Sequence, residues 1–206
     1  MSSRLNRKYL TAKTWGSYLQ VFTHPPAELY STPGYLHPLE GRFLYWLAGK
    51  VPPGGLAVEI GSFKGKSSVF LAAGLQSNAR LACVDTWHND AMPYDDSADT
   101  MPLFLTNVSR YRDRIETHRG KSVDVAKGWH QPIDVLFIDG DHSYEGCSGD
   151  MNAWMSFVRI GGWIAFHDSG EAGVIRAINE FFPRTCRGVE LYAGSILAVK
   201  KTKVIE

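Results

Sequence analysis

Residues 58–68 read Val58-Glu59-Ile60-Gly61-Ser62-Phe63-Lys64-Gly65-Lys66-Ser67-Ser68. An apolar run that begins at Leu56 passes Glu59, turns through two glycines and opens into a segment with helical spacing. In open α/β sheets, ligands bind beyond the carboxyl ends of the strands, where a helix N-terminus presents unpaired N–H groups. The stretch therefore predicts a strand–turn–helix unit facing a ligand, and three ligand classes compete for it. A P-loop needs a longer bracket, since only Ser62, Phe63 and Lys64 separate Gly61 from Gly65, and Ile60 stands where the first glycine belongs. A dinucleotide fingerprint needs glycine where Phe63 stands, although Asp85, 20 residues past Gly65, is spaced as a ribose-binding acid. A nucleoside without phosphates needs a tight turn, an acid for the ribose and a carboxylate for a cationic group, which Glu59, Gly61, Gly65 and Asp85 supply. On the residues alone, the glycines are also explained as shaping a turn that binds nothing.

Outward from this stretch, short apolar runs alternate with helical segments. The runs are Leu56–Ile60, Leu81–Val84, Ile115–His118, Ile133–Ile138 and Trp163–Phe166; the helices between them are Ser67–Leu75, Met101–Tyr111, Ser122–Trp129 and Tyr144–Val158. Strands apolar throughout and separated by helices predict a parallel sheet covered on both faces, joined by right-handed crossovers. The end differs: a helix over Val174–Phe182, then Val189–Tyr192 and Ile196–Lys200 around Ala193-Gly194-Ser195, which predicts an antiparallel hairpin. The expected fold is α/β and Rossmann-like, a doubly wound, mostly parallel seven-stranded sheet closed by that hairpin. Residues 56–206 form this domain; residues 1–55 are read as an N-terminal arm and cap with a helix around Phe43, Leu44, Trp46 and Leu47, ended by Pro52-Pro53-Gly54-Gly55. Residues 87–100 form a long acidic loop, read either as a lid or as a solvated excursion, and Trp87 is a candidate for stacking on adenine or substrate.

Composition bounds the partners. The 206 residues are 44% hydrophobic and 21% charged, with a net charge of +1, which gives no electrostatic case for nucleic acid or an anionic membrane. No apolar run approaches a membrane span, and no apolar stretch follows the basic N-terminus as a leader would require. Cys83, Cys147 and Cys186 are far apart, so all three are expected to be reduced and the protein cytoplasmic. The expected partner is a small molecule. Trp15, Tyr18, Tyr30 and Tyr35 give the arm an aromatic surface suited to a substrate lid or to a homo-oligomer.

The run from Glu59 to Gly65, followed by Asp85, resembles motif I of class I S-adenosylmethionine-dependent methyltransferases, E/D-x-G-x-x-x-G with an acid ending the second strand. The resemblance covers most of residues 56–200 and implies a role for each matching position. Glu59 would sit near the methionine amino group, Gly61, Ser62 and Gly65 would line the cofactor turn, and Asp85 would take the ribose hydroxyls. Lys121 and Ser122, in Gly120-Lys121-Ser122, would lie beside adenine.

A second cluster follows the fourth and fifth runs: Asp139-Gly140-Asp141-His142-Ser143-Tyr144 and Phe166-His167-Asp168. Neighbouring strands would gather its acids at the cofactor edge, where they would repel unless a cation such as Mg²⁺ or Mn²⁺ neutralised them. The pattern resembles metal-dependent O-methyltransferases of the catechol and small sugar or antibiotic types. Its D-G-D-H-S-Y-E run and G-G-x-x-x-x-H-D strand also resemble a broad bacterial methyltransferase family. The resemblance implies Asp139, His167 and Asp168 as metal ligands, Asp139 and His142 as catalytic residues, and His142 where the catechol enzymes carry a lysine base. Those enzymes have a carboxylate where His167 stands, a departure that admits softer metals; Asp141 is a spare acid. His142 and the Asp168-Ser169 pair also read as helix caps. The function implied is methyl transfer to a hydroxyl of a sugar or secondary metabolite. The rival readings are a metal-dependent hydrolase or hydroxylase-like enzyme on the same fold and a non-catalytic cofactor-binding module.

Overall fold

The computed structural model describes residues 24–89 and 99–202. Trp15, Tyr18 and the centre of the acidic loop lie outside the described residues. The elements in chain order are a 3-10 turn at Ala27–Ser31, α1 (Pro38–Ala48), β1 (Leu56–Ile60), α2 (Lys66–Gly74), β2 (Arg80–Asp85), α3 (Met101–Val108), a 3-10 turn at Ser109–Arg114 and β3 (Ile115–Arg119). Then come α4 (Ser122–Lys127), β4 (Ile133–Ile138), α5 (Tyr144–Trp154), β5 (Val158–Phe166), α6 (Ala172–Thr185), β6 (Cys186–Ala193) and β7 (Ile196–Lys201). The sheet has seven strands in the order β3-β2-β1-β4-β5-β7-β6. The first five run parallel, and β7 is antiparallel to both β5 and β6. The chain winds outward from β1 and returns to β4, so the order reverses between those two strands, where open α/β sheets bind ligands.

Alternation along the strands divides the core in two. Ala57, Leu81, Cys83, Val135, Phe137 and Ala165 face one layer with Phe43, Leu44, Leu47, Phe70 and Phe104. Val58, Ile60, Val84, Leu136, Ile138 and Ile164 face the other with Met151, Trp154 and Ile178. Full burial of such side chains contributes about 1.5–3 kcal/mol each, which explains why the central strands are apolar at every position. Two acids are the exceptions: Glu59, 0% exposed inside β1, and Asp134, 8% exposed inside β4, which accepts from Leu56 N (2.9 Å). Cys83 and Cys147 are buried and free, and no described helix is long and apolar enough to cross a membrane.

The expected elements are present with shifted ends. The helix expected over Met101–Tyr111 leaves α geometry after Val108 and tightens into the 3-10 turn. The helix expected to reach Val158 stops at Trp154, and β5 starts at Val158, five residues before the expected Trp163. The register jumps from Ile133↔Val158 to Val135↔Trp163, so Arg159–Gly162 bulge out of the ladder; that glycine-rich interruption hid the strand's start.

Candidate active site

Register aligns the carboxyl ends of the strands. Ile60 pairs with Val84 and Ile138, and Ile138 pairs with Phe166, so Gly61, Asp85, Asp139 and His167 emerge along one edge. Backbone bonds carry the ladder into these residues: Gly61 N to Val84 O (2.9 Å), Asp139 N to Ile60 O (2.8 Å) and His167 N to Ile138 O (3.0 Å). Phe63, Trp87 and Asp168 hold positive φ angles of 45°, 52° and 44° at this edge. Such strain in non-glycine residues gathers at functional sites.

On the β1–β2 side, Asp85 ties the turn together. Its Oδ2 accepts from Phe63 N (2.7 Å) and its Oδ1 from Trp87 N (2.6 Å), leaving each oxygen a further lone pair. Glu59 lies beneath the turn. Its Oε2 accepts from Ser62 Oγ (2.8 Å), from Ser68 Oγ and from the Cys83 thiol (3.5 Å), while its buried Oε1 has no partner. Burial raises the Glu59 carboxyl to about 7 against the serine hydrogen bonds, and the Asp139 charge adds to the rise. Gly61 holds φ +84°, and a Cβ there would sit 2.1 Å from Asp139 O; a Cβ on Gly65 would press on Val108 and Phe104. Both glycines are thus demanded by the chain's own packing. Trp87 does not reach toward a ligand: it is 0% exposed and packs on Phe104 with ring centroids 4.9 Å apart. Ser122 donates to the buried Asp150, and Lys121 is the exposed N-cap of α4.

On the β4–β5 side, Asp139, His142 and Asp168 come together, each offering one ligand atom within 4.8 Å of the others. His142 Nε2 lies 3.7 Å from Asp139 Oδ1, and its Nδ1 lies 3.5 Å from Asp168 Oδ2. The Asp139 carboxylate, opposed by burial and helped by the Asp168 charge, raises His142 above the usual histidine value. His142 is not a helix cap; Ser143 caps α5, accepting from Gly146 N (3.0 Å). Asp141 sits apart, accepting from Ser143 N (2.8 Å).

His167 is placed differently from the ligand role the resemblance implies. Its Nδ1 lies 3.2 Å from Asp139 Oδ1 and 3.1 Å from Asp168 Oδ2, and its Nε2 lies 3.3 Å from Glu40 Oε2. With carboxylates facing both ring nitrogens, the ring is placed to donate on both sides, and it is not among the side chains whose ligand atoms converge. Burial opposes the charge, but the hydrogen bonds to Asp139 and Glu40 and the nearby charges override it and push His167 up to about 11. Glu40, though burial pulls it upward, is held down at about 2 by hydrogen bonds from His167, Ser195 and His37. Sequence reasoning missed Glu40. The available signal was a charged residue three and four positions before Phe43 and Leu44, on the buried stripe of α1.

A family model described as a methyltransferase domain matches residues 58–169. A protein of Acanthamoeba polyphaga mimivirus, uncharacterized, is 50% identical over 36 residues, which is 18% of this chain and spans only 16% of the viral protein. Among solved structures, a methyltransferase from Geobacter sulfurreducens superposes with a TM-score of 0.67 at 19% identity, covering 93% of this chain and 96% of that one. The O-methyltransferase TomG of Streptomyces achromogenes, involved in tomaymycin synthesis and bound to S-adenosylmethionine, gives 0.65 at 16% identity, with 92% and 95% covered. An O-methyltransferase of Bacillus cereus in complex with S-adenosylhomocysteine gives 0.61 at 21%, with 95% and 94% covered. At these identities the solved structures establish a shared fold.

Proposed function

Because the chain belongs to the methyltransferase-domain family whose model spans residues 58–169, we propose that it transfers methyl from S-adenosylmethionine to a hydroxyl oxygen of a small molecule, a sugar or secondary metabolite. One observation carries the reading. The reversal between β1 and β4 sets two unlike half-sites side by side: Glu59 and Asp85 on one, Asp139, His142 and Asp168 on the other. The orphaned, buried Glu59 Oε1 suits the ammonium of an amino-acid moiety, and the free lone pairs of Asp85 suit ribose hydroxyls. A sulfonium donor supplies an already activated methyl group, so the protein's work is placement and proton removal. His142, its side chain 42% exposed and flanked by two carboxylates, would take the hydroxyl proton as the oxygen attacks the methyl carbon in line; the C–O bond forms as the C–S bond breaks, S-adenosylhomocysteine leaves as the thioether, and Asp139 and Asp168 stabilise the imidazolium.

A second reading rests on the same three side chains, whose spacing would also hold Mg²⁺ or Mn²⁺. Asp139, His142 and Asp168 would ligate it, in place of the implied set with His167, and the ion would lower the acceptor hydroxyl's pKa. His142 is then ligand rather than base.

Differential scanning with each ligand alone separates the options. Stabilisation by S-adenosylhomocysteine without metal is expected; stabilisation by Mn²⁺ only favours the hydrolase or hydroxylase-like rival. Calorimetry on Asp85→Asn should show cofactor affinity reduced at least tenfold; unchanged affinity places the nucleoside elsewhere. Turnover that survives chelation supports His142 as base, and turnover lost to EDTA and restored by Mg²⁺ or Mn²⁺ supports the second reading. Cofactor binding without turnover on any acceptor supports a binding module.

A further inference from the structure

Glu40 lies outside the segment the family model matches, in the helix read from sequence as part of a cap, yet it is joined to both sides of Asp168. The side chain belongs to a residue 5% exposed, and both oxygens are used twice. Oε2 accepts from His37 N (2.9 Å) and faces His167 Nε2 (3.3 Å); Oε1 accepts from Ser195 N (2.8 Å) and Ser195 Oγ (2.9 Å). Ser195 reaches on to the segment after β5. Its Oγ accepts from Asp168 N (3.3 Å), and its carbonyl accepts from Ser169 N (3.0 Å) and Ser169 Oγ (2.7 Å). The β6–β7 turn closes directly over the carboxylate: Gly194 holds φ +62°, and a Cβ there would lie 2.4 Å from Glu40 Oε1.

We propose that Glu40 is the positioning residue of this site. It fixes the His167 ring with Nδ1 toward Asp139 and Asp168, and so leaves His142 as the histidine that meets the acceptor. The role given to His142 rests on the methyl-transfer reading, whereas the Glu40–His167 clamp stands without it. An imidazole with both nitrogens committed to carboxylates neither ligates a metal nor accepts a proton. It can hold two acids at a set distance, and here its Nδ1 touches both Asp139 and Asp168. Through the ring on one side and the Ser195 turn on the other, Glu40 braces Asp168 in its left-handed backbone conformation.

Ring-nitrogen NMR with ¹⁵N-histidine tests this. In the wild-type protein His167 should show an Nε2 proton protected from solvent exchange; its absence overturns the proposal whether or not any variant folds. Glu40→Gln removes one acceptor oxygen and the negative charge while keeping the shape. It should lose that protection and shift the His142 ring signals. Ser195→Ala removes the hydroxyl's bonds to Glu40 Oε1 and Asp168 N but keeps Ser195 N on Glu40 and leaves Oε2 untouched, so it should keep the His167 signature. Unmoved His142 and His167 signals in folded Glu40→Gln would reduce Glu40 to a tie between helix and hairpin and overturn the proposal. Calorimetry with S-adenosylhomocysteine runs alongside on wild type. Absent cofactor binding with the ring signatures as expected sinks the methyl-transfer reading and leaves the clamp.

Discussion

Glu59 is a carboxyl in the middle of a strand with no exposed surface, and its protonation is coupled to the fold. Burial raises it from the usual carboxylate value of 4.5 to about 7, so the folded protein binds its proton more tightly than the unfolded chain does. Between these values the native state carries more protons, and stability falls as pH rises. The contribution is present in full below about pH 4.5 and gone above about pH 7, on the order of 3 kcal/mol across the window. Chemical denaturation across that range should show a decline in the wild type that Glu59→Gln lacks. On the proposed reading, a cationic group at Oε1 favours the ionised carboxyl, so S-adenosylhomocysteine affinity should climb toward pH 7 in wild type and stay flat in Glu59→Gln. At this scale the sequence was readable where local chemistry constrains a residue: Gly61, Gly65 and Asp85 stand out by spacing, and the turn uses all three. It was unreadable at Trp87, whose neighbour Asp85 suggested a ligand contact; what buries its ring is Phe104, from a helix that begins beyond the long loop.

Among the elements, those with strong periodicity or a predominantly apolar run were legible, and those whose ends depend on partners were not. β1 and β4 are buried at every position and match the expected runs to the residue. β5 was cut short because Arg159–Gly162 look like a loop, and only pairing with β4 reveals them as a bulge inside a strand. α5 carries a local start signal in Ser143, whose hydroxyl accepts from Gly146 N. Ser143→Ala should cost about 1 kcal/mol by urea denaturation, since one orphan N–H at the helix start loses its acceptor. Because His142 immediately precedes this cap, the same variant should also loosen His142, seen as weaker protection of the neighbouring amides in hydrogen exchange.

At the scale of the whole molecule, α1 docks on α2 through close approach. A Cβ on Gly74 would lie 2.1 Å from Tyr45 O, so the two helices touch backbone to backbone there. Gly74→Ala must separate them, and it should lower stability by about 1–3 kcal/mol in chemical denaturation. Since α1 carries Glu40, the same variant should weaken the His167 contact without altering any residue of the site. The sequence by itself determined the strand–helix alternation, the closing hairpin, the turn after β1 and the short list of acids and histidines at the strand ends. These follow from hydrophobic period and backbone sterics, which act within a few residues of the chain. Only the tertiary structure decided what each histidine does. His142 and His167 carry the same side chain, but one stands half-exposed beside two carboxylates, and the other is enclosed between those two and a third from a position 127 residues earlier. Charge and hydrogen bonding in a buried site are set by whatever folding brings within a few ångströms, and no local pattern records that distance.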